Sequence, residues 1–428
     1  MTNTVPSDKT VETMTISKAL LPLEDALKQL KHFAQPCLGV ERVDTFELDG
    51  RVLREDVISE LSVPPYDNSA MDGYAVRAQD VSEPGALLNV TQRIPAGSSG
   101  QALKPGEAAR IFTGAPIPVG ATSVVIQEDC EQVGDSSVRV RIKGVPGQSI
   151  RLAGEDIAKG DVVLKSGARM SAATLGLAAS LGRKDLLVSS RPRVALFSTG
   201  DELVMPGEIA PKDMGIGKIY NSNRYFLKAL LRQSGCLVTD MGNIPDDRDA
   251  TIDSLSKAAL DHDLILTSGG VSVGEEDHIK PSVQSLGELH QWALAIKPGK
   301  PFAYGRLNGS EDSKPYTHFI GLPGNPVSSY ITFLLLVKPF LMYLQGADSV
   351  FYRRIPMTAN FDWLKADRRE EFLRVRQNAE GTLDLYPNQS SGVLTSAVWG
   401  DGVVDNPPGQ TIKAGDTVNF IAFESWLK

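Results

Sequence analysis

Apolar residues recur at helical spacing over residues 17–32, where Leu20, Leu23, Ala26, Leu27 and Leu30 share one face, so an amphipathic helix is predicted there. A second helix is expected over residues 171–180, an alanine-rich run that follows a capping serine and stops before Gly182. Each apolar stripe needs a partner. If the two helices pack together, the chain between them is an insertion. That insertion, residues 45–146, mixes Gly and Pro with short β-branched runs at 123–127 and 137–142, the marks of strands and turns, and predicts a small β-domain.

From residue 191 the pattern changes to strands alternating with helices. Strands are expected at 193–198, 237–241, 263–267, 293–296 and 318–322. Helices are expected at 219–234, 251–260 and 277–286, with a long helix from Pro326. Such alternation implies a doubly wound, mostly parallel sheet covered on both faces. Short strands return at 371–376, 382–386 and 417–423. The expected division is a loose tail at 1–15, a helical linker domain from 16–44 and 147–188, the β insertion at 45–146, the α/β domain at 189–347 and a C-terminal β-domain at 348–428.

At 428 residues the chain exceeds what one core supports, which agrees with several domains. Its 42% apolar and 22% charged content is that of an ordinary globular protein. A net charge of −8 without a Lys/Arg cluster argues against nucleic acid as a partner. Cys37, Cys130 and Cys236 are odd in number, far apart and without a CxxC, which disfavours a disulfide framework or a zinc ribbon and favours a reducing compartment. The first twenty residues lack the apolar stretch of a signal peptide, and the longest apolar run, 331–344, is too short for a bilayer and carries Lys338 and Pro339. It reads as a buried helix, and no membrane is expected as a partner.

In open α/β sheets ligands bind beyond the carboxyl ends of the strands. The loops there share one style. Thr199 and Gly200 follow the first strand; Ser268, Gly269, Gly270 and Ser272 follow a later one; Lys297, Pro298, Gly299 and Lys300 form another; Gly324, Asn325 and Pro326 precede the long helix. Glycine lets a backbone approach an oxyanion and expose its N–H groups, and Ser and Thr add hydroxyl donors. Asn325 at the cap with Pro326 behind it aims a helix N-terminus at the same region. A single loop of this kind is only a tight turn; four together suggest a phosphate-binding crevice.

Phosphoryl chemistry calls for a divalent cation on hard oxygen ligands. Asp201, Glu202, Asp246, Asp247, Glu275, Glu276 and Asp277 all follow strands, and some are expected to hold magnesium while others cap helices, a role Asp277 could equally fill. In the insertion, Pro64 to Val76 is too rich in turn residues for a simple strand and too apolar for a disordered loop. Residues 111–116 are similar, and 154–156 add carboxylates; buried turns are the bland alternative for all three. The five histidines lack metal-ligand spacing, no serine, cysteine or histidine triad is apparent and no HExxH occurs, which disfavours nucleophilic and zinc hydrolases.

Taken jointly, PPYDNSAMDGYAV, IFTGAPIP, RLAGEDI, STGDEL, SGGVSVGEEDH, IKPGKPFAYG and GLPGNPVSS resemble the molybdopterin molybdenumtransferases, the MoeA family that includes the E domain of gephyrin, from about Leu20 to the C-terminus. The resemblance implies a multidomain α/β plus β protein. Its subunit would be elongated, with a molybdenum-cofactor-biosynthesis α/β domain, a β insertion and a C-terminal β-barrel-like domain. It further implies a cytoplasmic homodimer, formed through the helical linker, with an active site shared between the α/β domain of one subunit and the β insertion of the other.

The implied reaction places molybdate into adenylylated molybdopterin, cleaving the pyrophosphate bond with Mg2+ and releasing AMP. A transient contact with the molybdopterin adenylyltransferase goes with it. Carried over by motif, Asp72 and Thr113 would approach the substrate from the neighbouring subunit, with Asp156 supporting them, and Glu202, Asp246 and Asp277 would serve metal and nucleotide. The loops of Ser268 to Ser272 and of Gly324 and Asn325 would hold phosphate, and Lys297 and Lys300 would stabilise anionic charge. Arg374, Ser390 and Ser391 would reach the crevice from the C-terminal domain. Two other readings stand beside this one: a paralogue using tungstate or a variant pterin, and a non-catalytic scaffold, which should have lost site residues that this chain retains.

Overall fold

The computed structural model describes residues 19–35, 37–271, 278–308, 316–348, 350 and 352–427. Its contacts divide the chain into two compact units, one of Met1–Glu41, Gly50–Arg54 and Val188–Lys428, the other of Arg42–Asp49 and Glu55–Leu187.

The first unit is built on a six-stranded sheet in the order Leu237–Ile244, Arg193–Thr199, Leu264–Ser268, Tyr316–Leu322, Pro301–Asn308, Gly287–Ala293. The first four strands run parallel, as expected. The last two form an antiparallel hairpin on one edge. The strand anticipated at 293–296 is thereby corrected. Gly287–Ala293 pairs with Pro301–Asn308, and Ile296–Lys297 leaves this sheet to pair in parallel with Glu370–Gln377. Prolines at 298 and 301 interrupt the apolar run, while the aromatic stack of Phe33, Trp292, Phe302 and Tyr304 fixes the hairpin.

Helix caps explain two shifted boundaries. The Asn221 side chain accepts from Arg224 N (3.1 Å), so the helix starts at Ser222 rather than 219. Asp247 accepts from Ala250 N (2.8 Å) and starts the helix Arg248–Asp261. The helix anticipated from 277 is described from Ile279. The run Pro326–Leu344 is long and apolar enough to cross a membrane by composition, yet 94% of its 18-residue apolar window is buried inside the protein, as the core helix expected from its Lys338 and Pro339.

Leu23–Phe33 has acidic residues in its first turn and basic ones in its last, matching the helix dipole, and buries Leu23, Ala26 and Leu30 in the same core as Leu334 and Phe340. Its expected partner, Ala172–Ser180, falls in the other unit. The leucine stripe of the first helix is filled by the long helix, and the small side chains of Ala172–Ser180 leave only Ala178 buried.

The C-terminal strands form a sheet in the order Ile296–Lys297, Glu370–Gln377, Gly402–Asn406, Thr417–Ala422, Ile355–Thr358, with Leu383–Leu385 beside Glu370–Gln377. A bridge from Ala359 to Leu383 joins the far edge back to Leu383–Leu385, which closes the strands into a barrel-like ring. Phe372, Val403 and Ile421 belong to the main core of the unit.

In the second unit a six-stranded sheet runs Ser123–Ile126, Gly73–Val76, Glu107–Ile111, Ala86–Ile94, Ser137–Val140, Cys130–Val133. All its pairs are antiparallel except Ala86–Ile94 with Glu107–Ile111. Ala75, Ile94, Ala109, Ile111 and Val124 fill one side and Val76, Leu88, Ala108, Val125 and Val138 the other.

Candidate active site

A crevice of about 750 Å³ opens beyond the carboxyl ends of the parallel strands of the first unit. Thr199, Gly200, Glu202, Asp246, Ser268, Gly269, Gly270, Gly324, Asn325 and Pro326 line it, so most of the anticipated loops converge. Gly269 adopts φ +94°, and a Cβ there would stand 2.6 Å from Thr199 Oγ1 and 3.0 Å from Thr199 O. Only glycine lets the two loops lie so close while leaving the crevice open.

Asn223, which sequence reasoning missed, ties two loops together by donating to Ser268 Oγ (2.8 Å) and Gly324 O (2.7 Å). Asn221 does the same for the first strand, donating to Ser198 Oγ (2.9 Å). The only sequence signal was the pair of asparagines at the head of a helix. At the long helix, Asn325 occupies the cap position but its side chain makes no capping bond. Instead Val327 N donates to Ser391 O (2.9 Å), which brings the Ser390–Ser391 loop to that helix end, and Gly392 lines the crevice.

Glu202 and Asp246 face the same space with His278. The Asp246 carboxyl is held above its ordinary pKa, first by burial and then by the carboxylates of Asp201 and Glu202. Crowded carboxylates on an open crevice are a donor set that suits a divalent cation. Among the described residues no group of three His, Cys, Asp or Glu is close enough to hold a metal. Asp277 and Ser272 lie outside the described residues.

The lysines are placed differently from expectation. Lys297 does not line the cavity; its ammonium donates to Glu371 Oε1 (2.9 Å), lies 3.3 Å from Asp367 Oδ2 and sits 5.7 Å from the centre of the Trp363 ring. Pro298 and Gly299 behind it are buried, and Lys300 is exposed. Asp367 is kept well below the carboxylate range chiefly by the Arg369 side chain.

Arg374 is 1% exposed and donates to Ser396 Oγ (3.2 Å), Phe372 O (2.9 Å) and Ser390 O (3.4 Å). None of these partners carries a charge, and burial pushes its pKa down to about 10. A buried guanidinium without a carboxylate, bonded to the Ser390 loop, is a charge that an anion would compensate.

In the second unit, Asp72 Oδ1 accepts from both Thr113 N and Thr113 Oγ1 at 2.8 Å. These bonds, the backbone one first, hold its pKa below the ordinary value. The segment before it is ordered by Asp156 N donating to Val63 O (3.1 Å), Gly154 N to Pro64 O (2.9 Å) and Ala153 N to Asp67 Oδ1 (2.8 Å). Asp156 itself is exposed.

Comparison with known proteins matches the MoeA N-terminal region (domains I and II) at residues 21–182, a probable molybdopterin binding domain at 195–343 and the MoeA C-terminal region (domain IV) at 356–423. A molybdopterin molybdenumtransferase of Haemophilus influenzae is 42% identical over 399 residues, covering 90% of this chain and 95% of that one. The chain belongs to the MoeA family of molybdenum cofactor biosynthesis proteins. Molybdopterin molybdenumtransferase 2 of Mycobacterium tuberculosis is 38% identical, covering 84% of this chain and 89% of that one. A molybdopterin biosynthesis MoeA structure from Pyrococcus horikoshii superposes with a TM-score of 0.80 at 28% identity, covering 95% of this chain and all of that one. MoeA membership therefore spans both units, and the insertion carrying Asp72 is part of the family's own N-terminal region.

Proposed function

We propose that this MoeA-family transferase inserts molybdate into adenylylated molybdopterin and releases AMP. The observation that carries the reading is the crevice of the first unit, which the Ser268–Gly270 turn and the head of the Pro326 helix line together with Glu202 and Asp246. Backbone N–H groups and hydroxyls there suit a pyrophosphate, and the carboxylates suit the cation that accompanies it. Glu202 and Asp246, with Asp277, would hold Mg2+, which would neutralise phosphate charge when bound. The chain's own residues bind and orient. Thr199, Ser268 and the glycines would fix the phosphates, and the Arg374 charge would draw the oxyanion toward the Ser390–Ser391 loop. Lys297, half-buried and already paired with Glu371 and Asp367, would meet an anion with its remaining N–H donor. Lys300 is free to approach from the exposed side.

The reading includes a cytoplasmic homodimer in which Asp72, Thr113 and Asp156 act on the substrate in the partner subunit's crevice. The mostly uncovered Ala172–Ser180 helix favours a second copy as its cover, and the adenylyltransferase would deliver the substrate. The test is AMP release by purified protein given adenylylated molybdopterin and magnesium, with molybdate, tungstate or neither, together with metal analysis of the pterin. Molybdate-stimulated release with loaded product is expected; a folded protein that binds substrate but yields neither would sink the reading. For the shared site, Asp72→Ala and Asp246→Ala subunits, each inactive alone, should restore partial activity once subunit exchange has been demonstrated.

A further inference from the structure

The sheet of the second unit carries two arginines directly opposite each other. In the parallel register of Ala86–Ile94 with Glu107–Ile111, Ile94 faces Ile111 and Arg93 faces Arg110. Side chains alternate along a strand, so the two isoleucines, both buried, mark one side of the sheet and the arginines the other, at the end of the strands beyond the core residue Ala108. Tyr74 stands opposite Arg110 on the next strand, and Phe112, two residues beyond Arg110, continues the same side.

The Phe112 ring centre lies 4.4 Å from the Arg93 guanidinium carbon and 4.7 Å from that of Arg110, and the Tyr74 ring lies 5.2 Å from Arg110. Arg110 donates to Gly73 O (2.8 Å) and Gln127 Oε1 (2.6 Å), both uncharged. Arg93 is exposed, and among the described residues its side chain makes no hydrogen bond or ion pair. Like charges directly opposite across a ladder destabilise a sheet, and aromatic faces offset only part of that cost. Stacking occupies the guanidinium faces and leaves the N–H edges of Arg93 free, the geometry that grips phosphate oxygens.

The geometry points to Arg93, Arg110 and Phe112 as an anion subsite for a phosphate-class oxyanion, immediately beside Thr113 and the Asp72 it holds. Its use in turnover, to hold an anionic part of the pterin substrate at the insertion, rests on the proposed function; the binding does not.

The test uses the full chain and inorganic phosphate. Phenylglyoxal labelling is followed at Arg93 by peptide mass spectrometry, with chloride at matched ionic strength as control, and melting is compared for wild type and Arg93→Met. Phosphate is expected to slow labelling of Arg93 severalfold, also in a Ser268→Ala crevice variant, and to raise the melting temperature of wild type more than that of Arg93→Met. Equal responses of the two proteins to phosphate, or labelling of Arg93 indifferent to it, would overturn the subsite. Loss of AMP release with phosphate protection of Arg93 intact would instead count against the proposed reaction alone.

Discussion

The crevice of the first unit and the insertion of the second each present an aspartate, and their surroundings push the two in opposite directions. Asp246 is partly desolvated and crowded by Asp201 and Glu202, so its proton is held more tightly. Asp72 is half-buried and receives two donors from Thr113, so its charge is favoured. One side chain type thus meets two environments: a carboxylate crowded by its own kind, and a carboxylate already oriented as an acceptor.

Several changes would break or sharpen that contrast. The largest effect is expected at Arg374, the buried guanidinium bonded to the Ser390 loop. Arg374→Met should lower kcat/KM for the adenylylated pterin on the order of 100-fold while the melting temperature stays level or rises, since a buried charge gives way to an apolar chain. A fall in both would make Arg374 a structural residue.

Next comes Gly269→Ala, where a left-handed backbone and the Thr199 contact together should cost about 1 to 3 kcal/mol in denaturant unfolding. An unchanged midpoint would show that the crevice loops can separate freely. Asp246→Asn should raise the melting temperature in metal-free buffer, because a crowded charge is removed, and should abolish the stabilisation that Mg2+ gives wild type; a persisting Mg2+ response would place the cation elsewhere.

The smallest effect is a matter of pH. The folded pKa of Asp72 lies below its ordinary 3.8, so the folded state binds fewer protons and loses stability as pH falls through that region. For Asp246 the folded pKa lies above 3.8, so its contribution runs the other way, falling as pH rises from 3.8 toward the shifted value. Acid unfolding of Thr113→Val, which keeps the backbone bond and loses the hydroxyl one, should therefore be slightly less steep than that of wild type, and an unchanged profile would mean that the backbone bond alone sets the Asp72 charge.

What could be read from the sequence was what depends on local pattern. The four parallel strands are apolar runs bounded by helices, and the Gly-rich turns after them carry their chemistry in their own residue types. What could not be read depends on partners far along the chain. The hairpin of Gly287–Ala293 with Pro301–Asn308 hides behind prolines, and Lys297 looks like a free cation until Glu371, 74 residues away, is brought beside it. Asn325 carried every local mark of a capping residue, yet Ser391 takes one of the helix donors that a cap would serve. The Leu23–Phe33 stripe announced that it needed a partner without naming the Pro326–Leu344 helix.

The pairing of Ile296–Lys297 with Glu370–Gln377 bears on how this protein could be shortened. A fragment ending near Gly346 would strip Ile296 and Lys297 of their ladder partner, remove Phe372, Val403 and Ile421 from the core, and expose the apolar side chains they cover. The C-terminal ring is thus not an appendage that engineering could trim or swap at its apparent border; a minimal unit bearing the crevice has to run through Phe423 and Trp426, where that core closes.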